Sequence, residues 1–95
     1  MKCTPTLSEN LARYVFAINY CRKRNVIDVG CARGHGSFLL GYSANTVTGI
    51  DLSTKSIFKA PNLFKFVCPT TFQLCNLEKE FPEGEWDVAV CFEVI

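Results

Sequence analysis

The chain has almost no net charge. Ten Lys and Arg stand against nine Asp and Glu, a balance of +1. That excludes bulk attraction to nucleic acid or to an anionic membrane surface. No apolar run approaches the roughly 18 residues a membrane span needs. The opening "MKCTPTLSEN" lacks the apolar core of a secretory signal, so the cytoplasm is the expected compartment. Paired zinc ligands are missing too. The six cysteines, at 3, 21, 31, 68, 75 and 91, include no C-x-x-C pair, and there is a single His. No metal site is expected, and the cysteines read as reduced thiols that act as small core residues. Internal repeats and low-complexity tracts are also absent.

What is present suits one small globular domain. The chain has 95 residues, 48% hydrophobic and 20% charged, which argues against disorder. A core of this size is thin. Residues 6–24, "TLSENLARYVFAINYCRKR", open with a helix signal: Thr6 as cap and Glu9 three positions on. Leu7, Leu11, Tyr14 and Ile18 fall on one helical face, with Ala17 beside them. Arg22, Lys23 and Arg24 read as cations that end the helix and lead into a solvated linker.

From there strand and helix signals alternate. "NVIDV" reads as a buried strand, "GHGSFLLGYS" as a short helix ending near Gly41, and "TVTGIDL" as a second strand. "STKSIFKA" reads as a helix with Ser53 as its cap, stopped before Pro61. "FQLC" is the preferred third strand, with "LFKFV" either an extra strand or a packed loop. "LEKEFPEGE" reads as a loop holding at most one helical turn, and "WDVAVCFEV" as a fourth strand. The class this predicts is α/β with a parallel sheet. Trp86 and the phenylalanines are expected in the core.

The densest glycine cluster, Gly30, Gly34 and Gly36, directly follows the first strand. In an open parallel sheet, ligands bind outside the carboxyl ends of the strands. A glycine turn there lets a ligand approach bare backbone, and the following helix start offers N–H groups to a negative group. The dinucleotide fingerprint G-x-G-x-x-G is not met, which disfavours an NAD(P)-dependent enzyme. The other nucleotide pattern, an acid at the strand end and then G-x-G-x-G, reads here as Asp28, Gly30, Ala32 and Gly34, with Ala in the middle position. Asp51 ends the second strand about 20 residues later, where a carboxylate can accept both hydroxyls of a ribose.

These residues carry a resemblance. "LARYVFA", "VIDVGCARGHGSFLL", "VTGIDLS" and "FPEGEWDVAVCFEVI" together resemble the N-terminal half of a class I S-adenosylmethionine-dependent methyltransferase. The likeness is to a bacterial and phage-type subgroup with a LARY-x-FA helix before a D-x-G-C-G-x-G turn. It implies one partial Rossmann-like domain over 1–95, with a helix and linker over 1–24 and sheet and helices over 25–95. About four strands in the order 3-2-1-4 are expected. It also implies roles. Main-chain groups of Asp28 and Gly30, and the turn through Ala32 and Gly34, would lie along the methionine part of S-adenosylmethionine. Asp51 would hold the ribose, and Leu52 would lie on the adenine. Asn76 stands where relatives carry Asp for the adenine amino group, and Leu77 would offer its N–H to the ring. Cys91 and Phe92 would flank the methionine end.

Departures from the pattern are Ala32 for the middle glycine, Asn76 for Asp, and a chain that stops at Ile95 where relatives continue. The missing half supplies the acceptor pocket in relatives. The expected function is thus the cofactor-binding half of a methyltransferase, whether a fragment or a naturally short protein, with a cofactor- or partner-binding module without transfer as the alternative. No catalytic residue is assigned, because methyl transfer from a sulfonium draws chiefly on orientation. His35 reads as a packing residue at a helix start and Arg33 as a solvated turn residue. Lys55, Lys59 and Lys65, interleaved with Phe58, Phe64 and Phe66, read as an amphipathic surface, not a nucleic-acid platform. The apolar fourth strand is expected to expose an edge for self-association or a partner.

Overall fold

The computed structural model describes residues 7–32 and 34–91. Its elements run α1 (Leu7–Ala17), a 3-10 turn (Ile18–Tyr20), β1 (Asn25–Val29), α2 (His35–Leu40), β2 (Thr46–Asp51), α3 (Thr54–Leu63), β3 (Thr70–Leu74) and β4 (Val88–Cys91). The strands form one parallel sheet in the order β3-β2-β1-β4. Val29 is in register with Ile50 and with Cys91, and Asp51 with Leu74. The expected class and strand order are therefore observed. Among the described residues, no helix is long and apolar enough to cross a membrane.

β1 forms because Val26, Ile27 and Val29 are β-branched and its neighbours cover it on both sides. The main core joins α1 and α2 to one face of the sheet through Tyr14, Ala17, Cys21, Val26, Leu40, Ala44, Val47 and Val90. A smaller cluster of Ile27, Ile50 and Cys75, with Val29 and Trp86 against it, lies apart. The cysteines at 21, 31 and 75 are buried, as small apolar groups suit a thin core.

Some expectations need correction. α3 runs through Pro61 to Leu63. Proline removes one N–H, which otherwise bonds the carbonyl of Ile57, but this falls in the last turn and the helix continues past it. Ser53 does cap it, its Oγ accepting from the Ser56 N–H at 3.2 Å. β3 begins at Thr70, earlier than expected, and "LFKFV" forms no strand. The helix expected to end at Arg22, Lys23 and Arg24 stops sooner, and those cations sit in exposed turns with Lys23 at φ 59°. Thr6, the expected cap, lies outside the described residues. Among the described residues, the phenylalanines do not fill the core. Phe58 is 80% exposed, while Phe38, Phe64, Phe66 and Phe72 stack in a half-buried row with His35 packed edge-on to Phe64.

Candidate functional site

The three glycines after β1 prove to have separate tasks. Gly30, at φ 76°, leaves the strand and faces a cavity. Gly34 caps α2 at φ 91°, a conformation glycine adopts without a Cβ penalty. A Cβ there would also lie 3.1 Å from Phe72 Cζ. Gly36 lets α1 approach α2, because a Cβ on it would overlap the Tyr14 ring.

The turn between Gly30 and Gly34 is tied to β2. The N–H groups of Gly30 and Cys31 both donate to the Ile50 carbonyl, at 2.8 and 3.0 Å. The Ala32 N–H donates to Asp51 Oδ2 at 2.8 Å, and the Ser53 N–H to Asp51 Oδ1 at 2.8 Å. Ala32 holds φ 49°, in the left-handed region. Its side chain is exposed and does not line the cavity.

The cavity, about 350 Å³, opens at the carboxyl ends of β1, β2 and β3. Its walls are Val29 at the end of β1 with Gly30 after it, Ile50 and Asp51 of β2 with Leu52 after them, and Cys75, Asn76, Leu77 and Glu78 beyond β3. The size falls in the range of roughly 300–1,000 Å³ usual for small-molecule sites. Residues 76–80 form a turn in which the Asn76 carbonyl accepts from the Lys79 and Glu80 N–H groups, both at 3.0 Å. Asn76 Oδ1 accepts from the Glu78 N–H at 3.0 Å, which leaves that oxygen a second lone pair. Among the described residues the Leu77 N–H has no acceptor.

Gly30, Asp51, Leu52, Asn76 and Leu77 are thus brought together. Asp28, Ala32 and Gly34 are not on the cavity wall. Phe92 and Arg33 lie outside the described residues. Val29, Ile50, Cys75 and Glu78 were not foreseen on the wall, although the first two directly precede Gly30 and Asp51. The side chain of Asp28 is fully buried, 0% exposed, and accepts from the Tyr14 hydroxyl and the Ser37 hydroxyl, each at 2.7 Å. The signal for this was a Tyr on an apolar helix face, whose hydroxyl needs a partner when buried.

Two thiols feel these carboxylates. Burial raises the Cys31 pKa well above the ordinary thiol range, and Asp28 and Asp51 push it further. Cys21 is raised by burial and then by Asp28. Both are protonated and inert near neutrality.

Comparison with known proteins bears on the family and the fold. A family profile described as a methyltransferase domain matches residues 5–95. A search of curated proteins by sequence gives no match. Among solved structures, the YcgJ protein of Bacillus subtilis has a TM-score of 0.71 at 23% identity, over 84% of this chain and 37% of that one. Magnesium protoporphyrin IX methyltransferase of Synechocystis PCC 6803 with bound S-adenosylhomocysteine has a TM-score of 0.72 at 18% identity, over 99% and 49%. The same enzyme with bound S-adenosylmethionine has a TM-score of 0.64 at 26% identity, over 90% and 42%. This chain therefore spans less than half the length of these solved relatives. With a match running from residue 5 to residue 95, the chain belongs to the methyltransferase-domain family.

Proposed function

We propose that this chain is the S-adenosylmethionine-binding part of a methyltransferase whose acceptor is unassigned. The observation that carries this is the Asp51 carboxylate on the wall of a cavity that also presents Gly30, Asn76 and Leu77. The residues fit the cofactor's nucleoside. Asp51 spends one acceptor position per oxygen on backbone N–H groups and keeps others for two ribose hydroxyls. Leu52 and Leu77 offer apolar surface to a flat base. The free lone pair of Asn76 Oδ1 suits an exocyclic amino donor, and the Leu77 N–H suits a ring nitrogen. Gly30 lets the chain of the ligand cross bare backbone towards the end of β4. When bound, the cofactor supplies an electrophilic methyl group on sulfur. The work of these residues is to hold and orient it.

Calorimetry with S-adenosylmethionine, S-adenosylhomocysteine and NAD tests the proposal. Binding of the first two with NAD excluded is expected. A preference for NAD would overturn it.

A second reading, a cofactor- or partner-binding module without transfer, draws on β4. Its outer edge has no strand neighbour among the described residues, so we infer pairing there with further chain, a partner or a second copy. Light scattering reads this directly, and a monomer at high concentration argues against self-pairing. The cytoplasm is the compartment we propose.

A further inference from the structure

Among the described residues, Asp28 is the one fully buried carboxylate. It belongs to β1 and stands next but one before Gly30. Its two oxygens are reached from two different helices: Tyr14 of α1 donates to Oδ1, and Ser37 of α2 to Oδ2, both at 2.7 Å. Tyr14 is 5% exposed and Ser37 0%. Burying such a set costs desolvation that an apolar trio of the same volume avoids, so it is weak as a device for stability alone.

The anchors of the turn explain where it acts. On the β2 side the turn is fixed by the N–H groups of Gly30, Cys31 and Ala32. On the β1 side, the strand exit is paired with Ile50 and Cys91 through Val29, and side chains of α1 and α2 add a further hold through Asp28. α1 reaches that point only because Gly36 leaves space for the Tyr14 ring. We propose that Tyr14 is a positioning residue of the cofactor site: its hydroxyl, through Asp28, sets the exit of β1 and with it the turn that receives the amino-acid end of S-adenosylmethionine. This rests on the function proposed above.

The consequence is selective. Asp51, Leu52, Asn76 and Leu77 stand at the ends of β2 and β3, whereas Tyr14 and Ser37 reach β1 at Asp28. A ligand confined to them is indifferent to the Tyr14 hydroxyl, while a ligand that also crosses the turn is not. Adenosine and S-adenosylhomocysteine are such a pair.

Calorimetry on the whole chain with both ligands, beside a thermal unfolding curve for each variant, reads the difference. In Tyr14→Phe, S-adenosylhomocysteine is expected to weaken about tenfold while adenosine stays within about twofold. Ser37→Ala, which removes the donor to the other oxygen, is expected to show the same selectivity at smaller size, and it carries the test alone if Tyr14→Phe does not fold. An equal loss for both ligands would reduce the set to ordinary packing and overturn the assignment, as would no loss for either. Wild-type protein that binds neither ligand would overturn the function itself before any variant is made.

Discussion

Asp51 holds the backbone N–H of Ala32 at 2.8 Å on one oxygen and that of Ser53 at 2.8 Å on the other. The glycine turn and the start of α3 therefore share one carboxylate, which also faces the proposed cofactor cavity. An amide in its place has a single oxygen, so one of the two N–H groups must face an NH₂ group. Asp51→Asn is expected to cost about 0.5–1.5 kcal/mol of stability in a denaturant titration. Asp51→Ala is expected to weaken S-adenosylhomocysteine by about 1–3 kcal/mol, the cost of leaving polar groups unpaired. An unchanged dissociation constant would move the ribose site elsewhere.

Ala32 sits at φ 49° with its side chain exposed. The left-handed region costs a non-glycine residue about 1–2 kcal/mol. Glycine removes that cost but gives back about 0.4–1 kcal/mol through the freedom of the unfolded chain. Ala32→Gly is therefore expected to be neutral to stabilising, by at most about 1.6 kcal/mol. Because its methyl is not on the cavity wall, affinity for S-adenosylhomocysteine should be retained or slightly improved. A clear loss of affinity without unfolding would mean that the turn depends on the stiffness of Ala32.

Gly36 and Tyr14 constrain each other across α1 and α2, since a Cβ on Gly36 would overlap the ring. Gly36→Ala is expected to lower stability by about 1–3 kcal/mol, the usual cost of overpacking. In the double variant Gly36→Ala with Tyr14→Ala that added cost should largely vanish, a coupling of at least about 0.5 kcal/mol in a double-mutant cycle. Additive effects would show that the two helices can separate without loss.

The parts of this fold that local chemistry determines were legible from the sequence. "NVIDV" and "TVTGIDL" announce strands through β-branched residues, and Ser53 announces a cap. The glycine turn followed by Asp51 located two of the cavity residues, Gly30 and Asp51, and the family resemblance added Leu52, Asn76 and Leu77. What depends on distant partners was not legible. The buried carboxylate of Asp28 is chosen by Tyr14 and Ser37, residues whose sequence context reads as plain amphipathic helix. Gly34 and Gly36 look like ligand-binding glycines but answer to Phe72 and Tyr14. Pro61 is overridden because only the last turn of α3 follows it. The phenylalanines were misplaced because hydrophobicity alone does not say which apolar residues the helices and strands cover.

Cys21 and Cys31 are buried and held protonated, whereas Cys91 at the end of β4 is exposed. Iodoacetamide at about pH 8 is expected to label Cys91 well before either of them. The same shifts set a pH dependence. The folded-state pKa of both buried thiols lies above its unfolded value, so their contribution is complete below the unfolded value, about 8.5. It is lost as the pH rises further, because only the unfolded state gives up protons there. Chemical denaturation between about pH 8 and 10 should show falling stability, and Cys31→Ala should flatten the slope. A slope unchanged by that variant would place the alkaline loss on other groups.

Asn76 offers the sharpest test of where the base lies. Its Oδ1 accepts from the Glu78 N–H at 3.0 Å and shares the cavity wall with Leu77. Aspartate keeps an acceptor for that N–H, so Asn76→Asp should leave the turn over residues 76–80 intact. It also replaces a neutral acceptor by a charged one, and charge-assisted hydrogen bonds are roughly twice as strong. S-adenosylhomocysteine is therefore expected to bind about threefold to tenfold tighter in Asn76→Asp, a gain of at most about 1.4 kcal/mol. Asn76→Ala loses both the turn bond and the acceptor and should weaken the ligand. Inosine-based analogues, which carry an oxygen in place of the amino group, should reverse the order and bind worst to the Asp variant, where two acceptors meet. Equal affinities across Asn, Asp and Ala would show that the base does not reach the end of β3, and would confine the ligand to β1 and β2.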